Sequence, residues 1–335
     1  MIPRSHRARQ PVRWQTLLGE AVTDPEQLLR ELELPARLLP GALRASAGFR
    51  LQVPRGFVRR MAKGDPADPL LRQVLPLAAE LEPAPGFRMD PLDELESMPK
   101  PGVLHKYRGR VLLTVTGACA VHCRYCFRRH YPYKHASAAR ENARHAIDYL
   151  RSQPEVDEVI LSGGDPLTLP DSRLAALVTE LATAPQLRRL RIHSRLPVVL
   201  PERVDSRLLQ WMTTSGFQVV LVIHCNHPNE IDLSVRQALE KLRAAGVTLL
   251  NQAVLLRGVN DRVEALAELS TRLFEAGVLP YYLHQLDPVQ GAAHFEVDDR
   301  TAKALVDAIR SRLPGYLVPR LVREQARQPH KTPIL

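Results

Sequence analysis

The hydrophobic pattern of this 335-residue chain changes near residue 111. Over residues 1–100, helical periodicities are broken repeatedly by proline. DPEQLLRELEL (24–34) is the clearest of them, with Asp24 placed to cap a helix and Pro25 at its first position. Pro-rich stretches such as EPAPGFRMDPLDE predict extended backbone that wraps another unit without a core of its own. From residue 111, β-branched or Leu-rich runs recur: VLLTVT (111–116), VDEVILS (156–162), LRRLRIHS (187–194), FQVVLVIH (217–224), GVTLLNQAVLL (246–256) and PYYLHQL (280–286). Amphipathic helical patterns lie between them. In IDLSVRQALEKLRAAG, Ile231, Val235, Ala238, Leu239 and Leu242 share one face, and Gly246 stops the helix. RVEALAELSTRLFEAG repeats the design, with Asn260 and Asp261 ahead of it and Gly277 behind.

Apolar strands alternating with helices predict an α/β fold, a parallel sheet with helical crossovers. Six such units suit a partial (β/α)6 TIM-like barrel, and an open doubly wound sheet fits the same alternation. Either fold gathers functional residues at the C-terminal ends of its strands. The expected organisation is an N-terminal helical and extended wrapping region over 1–100, a barrel over 101–314 and a C-terminal closing segment over 315–335.

Composition narrows the class. An apolar fraction of 45% is ordinary for a globular protein. No apolar run approaches the roughly 20 residues that span a bilayer, and the basic start MIPRSHRARQPVRWQ has no apolar stretch behind it, so it does not read as a secretory signal. The expected compartment is the cytoplasm. The net charge of +10 comes from arginines scattered among Leu and Ala without a long Lys/Arg block. That reads as a solvated basic surface, so no direct nucleic-acid binding is expected.

Chemistry concentrates in GACAVHCRYCFRRHYPY (117–133), which follows directly on the first of these strands. Three of the chain's four cysteines, Cys119, Cys123 and Cys126, stand there in C-x3-C-x2-C spacing. A cluster of this kind in a Cys-poor chain indicates a metal or redox site, not a disulfide framework. Three thiolates are one short of the four that close a structural zinc site or complete an ordinary iron–sulfur cluster, which leaves one iron open. The bland alternative is a zinc knuckle with His122 or His130 as fourth ligand. Cys225 stands apart and reads as a small buried apolar residue. SGGDP (162–166) closes the second strand, where Ser162, Gly163, Gly164 and Asp165 let backbone come close to a ligand. His193, Ser194 and Arg195 end the third strand and are candidate walls of the same site, although a satisfied core histidine fits His193 equally well.

The C-x3-C-x2-C loop is the signature of the radical S-adenosylmethionine superfamily. There the amino and carboxylate groups of S-adenosylmethionine occupy the open iron of a [4Fe-4S] cluster, and electron transfer releases a 5′-deoxyadenosyl radical. SGGDP resembles that superfamily's glycine-rich motif. Further segments resemble the lysine 2,3-aminomutase family: VLHKYRGRVLL (103–113), CRYCFRR (123–129), IHSRLPVV (192–199), LLNQAVLLRGVND (249–261), YYLHQLDPVQGAAHF (281–295) and GYLVPRLVRE…HKTP (315–333). The resemblance covers nearly the whole chain. It looks closest to the short bacterial form that makes (R)-β-lysine for modification of translation elongation factor P.

The resemblance implies a radical S-adenosylmethionine partial barrel, a second cofactor, pyridoxal 5′-phosphate, and Lys331 of the K-T-P motif as its tether. Read without a family, Lys331 would be a solvated tail residue. Lys106, Tyr107 and Arg110 match positions that contact that cofactor's phosphate and ring, and cations with a phenol suit an anionic partner. Arg128 matches the arginine that pairs with the carboxylate of L-lysine. Asp287 and Glu324 match the two acidic positions that hold its ε-ammonium, with Glu standing where long-form enzymes carry Asp. The implied partners are L-lysine, an electron donor for the cluster, and, functionally, elongation factor P with its β-lysine ligase. The chain lacks the extra C-terminal cysteines that bind zinc between long-form subunits, which favours the short form. The remaining alternatives are an aminomutase for another amino acid, catabolic β-lysine formation, and a basic iron–sulfur or zinc protein that binds RNA or a ribosomal partner without catalysis.

Overall fold

The computed structural model describes residues 13–133 and 143–335; the basic stretch 1–12 lies outside them. All six expected strands are present within a nine-stranded sheet whose strands follow one another in chain order. They are β1 (Val103–Tyr107), β2 (Arg110–Thr116), β3 (Glu158–Gly163), β4 (Arg189–Ser194), β5 (Gln218–Ile223), β6 (Thr248–Val254), β7 (Leu279–His284), β8 (Arg320–Arg323) and β9 (Thr332–Pro333). β2 through β8 pair in parallel, and β1 and β9 add antiparallel edges. This order decides between the two candidate folds. A doubly wound sheet must reverse direction at its switch point, whereas here every strand is laid down beside its predecessor. Among the described residues β1 and β9 do not pair, so the barrel stays open.

β8 is a seventh parallel strand, formed by residues expected to belong to the closing segment. It is only four residues long and directly follows Pro319, too short a run for alternation to reveal.

Crossover helices follow the predicted periodicity. Leu233–Ala244 buries Val235, Ala238, Leu239 and Leu242, with the Asp232 carboxylate capping the Val235 N–H and Gly246 turning left-handed at φ 79°. Ile231 is buried ahead of that helix, not on it. Asn260 and Asp261 do not cap the helix Val263–Glu275. Their side chains accept from Leu256 N and Gly258 N within the preceding loop.

The strands show which face meets the helices. On β4, Leu190 and Ile192 join the main apolar core, which leaves Arg189, Arg191 and His193 on the opposite, inner face. On β3, Val159 and Leu161 point the same way as Leu190 and leave Ser162 inside.

The N-terminal region has no separate core, as its proline-broken pattern predicted. Trp14, Leu28, Phe57, Leu70 and Leu71 belong to the same apolar cluster as the strands. Its helix Pro25–Glu31 is capped by Asp24 as expected. Among the described residues no helix is long and apolar enough to cross a membrane. Cys225 is fully buried in the core, as its isolation suggested.

Candidate active site

The cysteine loop leaves the end of β2 and is braced on one side by the N-terminal region. Gln52 donates to the Cys119 carbonyl at 2.8 Å and accepts the His122 N–H on its own carbonyl at 2.9 Å. Arg124 is fully buried, and its guanidinium grips both carboxylate oxygens of Glu80 at 2.8 and 2.6 Å. Arg129 adds a third bond to that carboxylate at 2.7 Å. A buried charge left alone is costly, so Glu80 and the two arginines stand or fall together.

On the other side, the β3 turn packs directly on the loop. Gly164 N and Asp165 N donate to the Thr116 and Ala118 carbonyls at 2.7 Å each. Gly163 holds φ at 117°, and a Cβ on Gly164 would overlap the Ala118 carbonyl. These glycines therefore admit the cysteine loop itself at close range. The Asp165 carboxylate is also engaged by the protein. It accepts from Ser194 Oγ, Arg195 N, Leu196 N and Leu167 N, tying the ends of β3 and β4 together. It braces the site from behind.

Arg195, fully engaged at its two terminal nitrogens, reaches Cys123 Sγ at 2.7 Å, Tyr125 Oη at 2.8 Å, Gln73 Oε1 at 2.6 Å and Glu230 Oε2 at 3.1 Å. Gln73, Glu80 and Glu230 were not anticipated. Each lies in a segment whose local sequence is unremarkable, and only the fold brings them to the loop.

Three half-buried free thiols on one loop, with a guanidinium against one sulfur, fit a [4Fe-4S] cluster with one open iron. Burial pushes the Cys119 thiol well up and the Cys126 thiol to about 11, so cluster binding must displace their protons. The histidines of the zinc-knuckle alternative, His122 and His130, bond through Nδ1 and Nε2 to the backbone carbonyls of Arg50 and Gln290.

The inner face carries the second half of the site. Arg128 is buried and meets Glu94 side-on, Nε to Oε2 at 2.6 Å and Nη2 to Oε1 at 2.9 Å. Its Nη1 donates to Ser162 Oγ at 3.1 Å and the Gly163 carbonyl at 3.3 Å. Lys106 Nζ joins Glu94 at 3.2 Å. Burial alone would raise the Glu94 carboxyl, but Arg128 and Lys106 override it and hold it low. Glu94 was hidden in the Pro-rich DPLDELE stretch, read only as wrapping backbone. Arg128 is therefore met by the chain on both edges, by Glu94 on one and by Ser162 with the Gly163 carbonyl on the other.

Opposite these, Glu324 follows β8 directly and makes an ion pair with Lys331 Nζ. Its other oxygen accepts from Tyr107 Oη at 2.9 Å and faces Lys106 Nζ at 3.7 Å. Burial is again overridden, chiefly by Lys331, so the carboxyl sits at about 2. Lys331 also lies 5.8 Å from the Tyr282 ring centroid, and the Arg110 guanidinium lies 4.1 Å from that of Tyr107. The structure thus brings together Lys106, Tyr107, Glu324 and Lys331, far apart in sequence, around one inner position.

Asp287, just past β7, differs from all of these. Its Oδ1 is buried without a partner among the described residues, and burial, with repulsion from Glu324, pushes the carboxyl up to about 7. His193, His224 and His284 end β4, β5 and β7, and each leaves a buried Nε2 unpartnered. Burial depresses all three, His224 to about 4, so they are neutral imidazoles. His224 and His284 follow from the same strand-end rule that singled out His193. An amine-bearing Lys331, the Lys106 and Arg110 cations, and unsatisfied imidazoles fit a tethered anionic aromatic cofactor by donor chemistry.

A family model of the Radical SAM superfamily matches residues 113–270, from β2 into the helix Val263–Glu275. The fold and the cysteine loop are thus those of a radical S-adenosylmethionine protein, a class that implies a [4Fe-4S] cluster and S-adenosylmethionine. L-lysine 2,3-aminomutase of Escherichia coli is 53% identical over 96% of this chain and 94% of its own length. The enzyme of the same name from Haemophilus influenzae is 46% identical over 99% and 98%, and that from Clostridium subterminale 36% identical over 96% of this chain but 77% of its own. The chain belongs to the L-lysine 2,3-aminomutase family, and these lengths place it with the short bacterial form.

Proposed function

We propose that this protein is a radical isomerase that moves the α-amino group of L-lysine to C3, giving (R)-β-lysine, with pyridoxal 5′-phosphate tethered by Lys331. The observation that carries the reading is the inner face itself, where the buried Arg128 guanidinium, the Lys331 amine and the Asp287 carboxylate, with an Oδ1 that has no partner among the described residues, stand on one side of the sheet. An acidic side chain would meet Asp287 and Glu324 and be repelled.

When bound, the cluster and S-adenosylmethionine supply the carbon radical that removes a hydrogen, and pyridoxal phosphate supplies the carbon that carries the migrating nitrogen. The chain supplies position and protection. Arg128 orients the carboxylate, with Glu94 holding its guanidinium still. Lys106, Tyr107 and Arg110 present cations and a phenol to the anionic cofactor. Buried neutral imidazoles and the closing strand pair β8–β9 keep water from the reacting carbons. No side chain is needed as a general acid or base for the migration.

The product is assigned to the β-lysylation of elongation factor P, in the cytoplasm, through a dedicated ligase. Support for that role is the likeness to the short form. The test is anaerobic turnover of reconstituted protein with both cofactors, dithionite and L-lysine, followed by chiral chromatography. Appearance of (R)-β-lysine, dependent on Cys126 and Lys331, supports the reading. Release of 5′-deoxyadenosine without β-lysine overturns the substrate while leaving the radical chemistry. Loss of the β-lysyl mass on elongation factor P in cells lacking the protein tests the downstream role.

A further inference from the structure

We propose that Arg195 tunes the iron–sulfur cluster: its guanidinium, aimed by Gln73 and Glu230, donates to the Cys123 thiolate and raises the potential at which the cluster accepts an electron. Gln73, which has no bond to a cysteine, is a positioning residue in this arrangement. The proposal rests on a cluster held by the three cysteines and is independent of which amino acid is the substrate.

The aim of Arg195 is set by three parts of the chain. Its backbone is fixed just past β4, where its N–H donates to the Asp165 carboxylate at 2.8 Å. Its side chain is buried, with the guanidinium carbon 5.5 Å from the Phe57 ring centroid and 5.8 Å from that of Tyr125. Nη2 is claimed by Gln73 Oε1 and Glu230 Oε2 at 2.6 and 3.1 Å. That leaves Nη1 for Cys123 Sγ and the Tyr125 hydroxyl, at 2.7 and 2.8 Å.

The two holders are themselves held. Gln73 follows the short helix Pro69–Arg72, which Asp68 caps and which Leu70 and Leu71 seat in the apolar core. Its amide nitrogen donates to the Pro69 carbonyl at 3.0 Å and to Glu230 Oε1 at 3.1 Å. Its amide oxygen is thereby turned toward Arg195 Nη2 and Asn226 Nδ2. Glu230 accepts the Asn226 and His227 N–H groups at 2.9 and 3.0 Å on the oxygen that does not face Arg195. Neither Gln73 nor Glu230 has any exposed surface. The N-terminal region thus reaches the cluster site through one amide.

A thiolate that accepts an N–H bond from a cation carries its negative charge more cheaply. The reduced cluster, with one more electron than the oxidised one, gains the most from that bond, so the potential rises. Glu230 does not cancel the effect, because it sits on the terminal nitrogen away from the sulfur and leaves the positive end of the pair nearer the cluster. The step is the arrival of one electron from a low-potential one-electron carrier of the flavin or iron–sulfur class. No bond forms or breaks, and no proton moves, because the guanidinium stays protonated throughout.

The test is a dye-mediated potentiometric titration of reconstituted protein, read from the EPR signal of the reduced cluster without S-adenosylmethionine, substrate or turnover. Arg195→Gln should lower the reduced-to-oxidised ratio at a fixed potential by at least about 10-fold, which is about 59 mV for one electron. That variant leaves Glu230 buried without its cation. The double variant Arg195→Gln with Glu230→Gln removes both charges and should shift the potential in the same direction. Gln73→Met removes no charge and should lower the ratio by about 3-fold, the scale of one neutral hydrogen bond. A merely structural role would lower iron content or the denaturation midpoint and leave the potential of the remaining clusters where it was. An unchanged potential in the double variant overturns the tuning, and an unchanged potential in Gln73→Met overturns the part given to Gln73. Unchanged potentials with weakened binding of S-adenosylmethionine, read by calorimetry, also overturn it and give the guanidinium to that ligand.

Discussion

The cysteine loop and the inner face of the barrel differ in how their carboxylates and imidazoles are answered. At the loop, charged groups are answered by the protein: Glu80 by Arg124 and Arg129, Glu230 by Arg195, Asp165 by four donors. On the inner face, Glu94 and Glu324 are paired, but Asp287 Oδ1 and the Nε2 atoms of His193, His224 and His284 are buried without a partner among the described residues. The cysteine loop is held mainly by protein partners, whereas the inner face keeps four buried polar atoms without a partner among the described residues. Buried polar atoms without partners are rare enough to mark a site made for ligands.

The comparison breaks most completely at the cofactor anchors themselves. Cys126→Ala should abolish turnover together with the iron content and the visible absorbance of the cluster. Lys331→Ala should abolish turnover with iron retained, and borohydride should no longer fix the pyridoxal cofactor to the chain. If the two variants lost the same properties, the two halves would not be separable.

Next in size is the brace. Glu80→Gln leaves Arg124, with no exposed surface, without its counter-charge. Breaking such a pair costs about 3–5 kcal/mol. The denaturation midpoint should fall accordingly, and cluster occupancy with it. Asp287→Asn should not lower the midpoint at neutral pH, because that carboxylate has no partner to lose.

How much of this was legible beforehand follows the same division. The six parallel strands, the capped helices and the three cysteines are local signals, carried by periodicity, capping residues and spacing. Barrel winding was legible through the family resemblance and not from periodicity, because alternation of strand and helix is the same in both candidate folds and only strand order separates them. Glu94, Gln73, Glu80 and Glu230 were invisible for a similar reason. Each acts at a sequence distance of dozens of residues, and Glu94 reaches Arg128 from a 3-10 turn in Pro-rich sequence. Lys331 and Glu324 became candidates only through family resemblance, and the β8–β9 ladder now gives their pairing a backbone cause.

A smaller effect sharpens the view of Arg128. Glu94→Gln keeps the shape but removes the charge from the two charge-assisted bonds that fix the guanidinium. Bonds of that kind contribute about 1.5–3 kcal/mol. The KM for lysine should rise about 10- to 100-fold with kcat much less affected, since Glu94 holds the residue that holds the substrate. A fall in kcat at unchanged KM would instead put Glu94 in the chemistry of migration.

A further expected effect is a pH dependence, and its sign is fixed by Asp287. In the folded protein the carboxyl is raised from 3.8 to about 7 by burial and by Glu324. Between those values the folded chain holds a proton that the unfolded chain has released, so stability falls as pH rises through that window. This contribution is fully present below about pH 4 and is lost above about pH 7. Asp287→Asn cannot ionise and should therefore unfold at a higher temperature than the wild type at pH 8, with the difference shrinking to nothing toward pH 4. L-lysine should stabilise the wild type most at pH 8, where Asp287 is ionised and the ε-ammonium supplies its missing partner, and should do so less in the variant. A wild type whose midpoint rose with pH over the same range, once corrected by the variant, would mean that Asp287 already has a cation inside the protein.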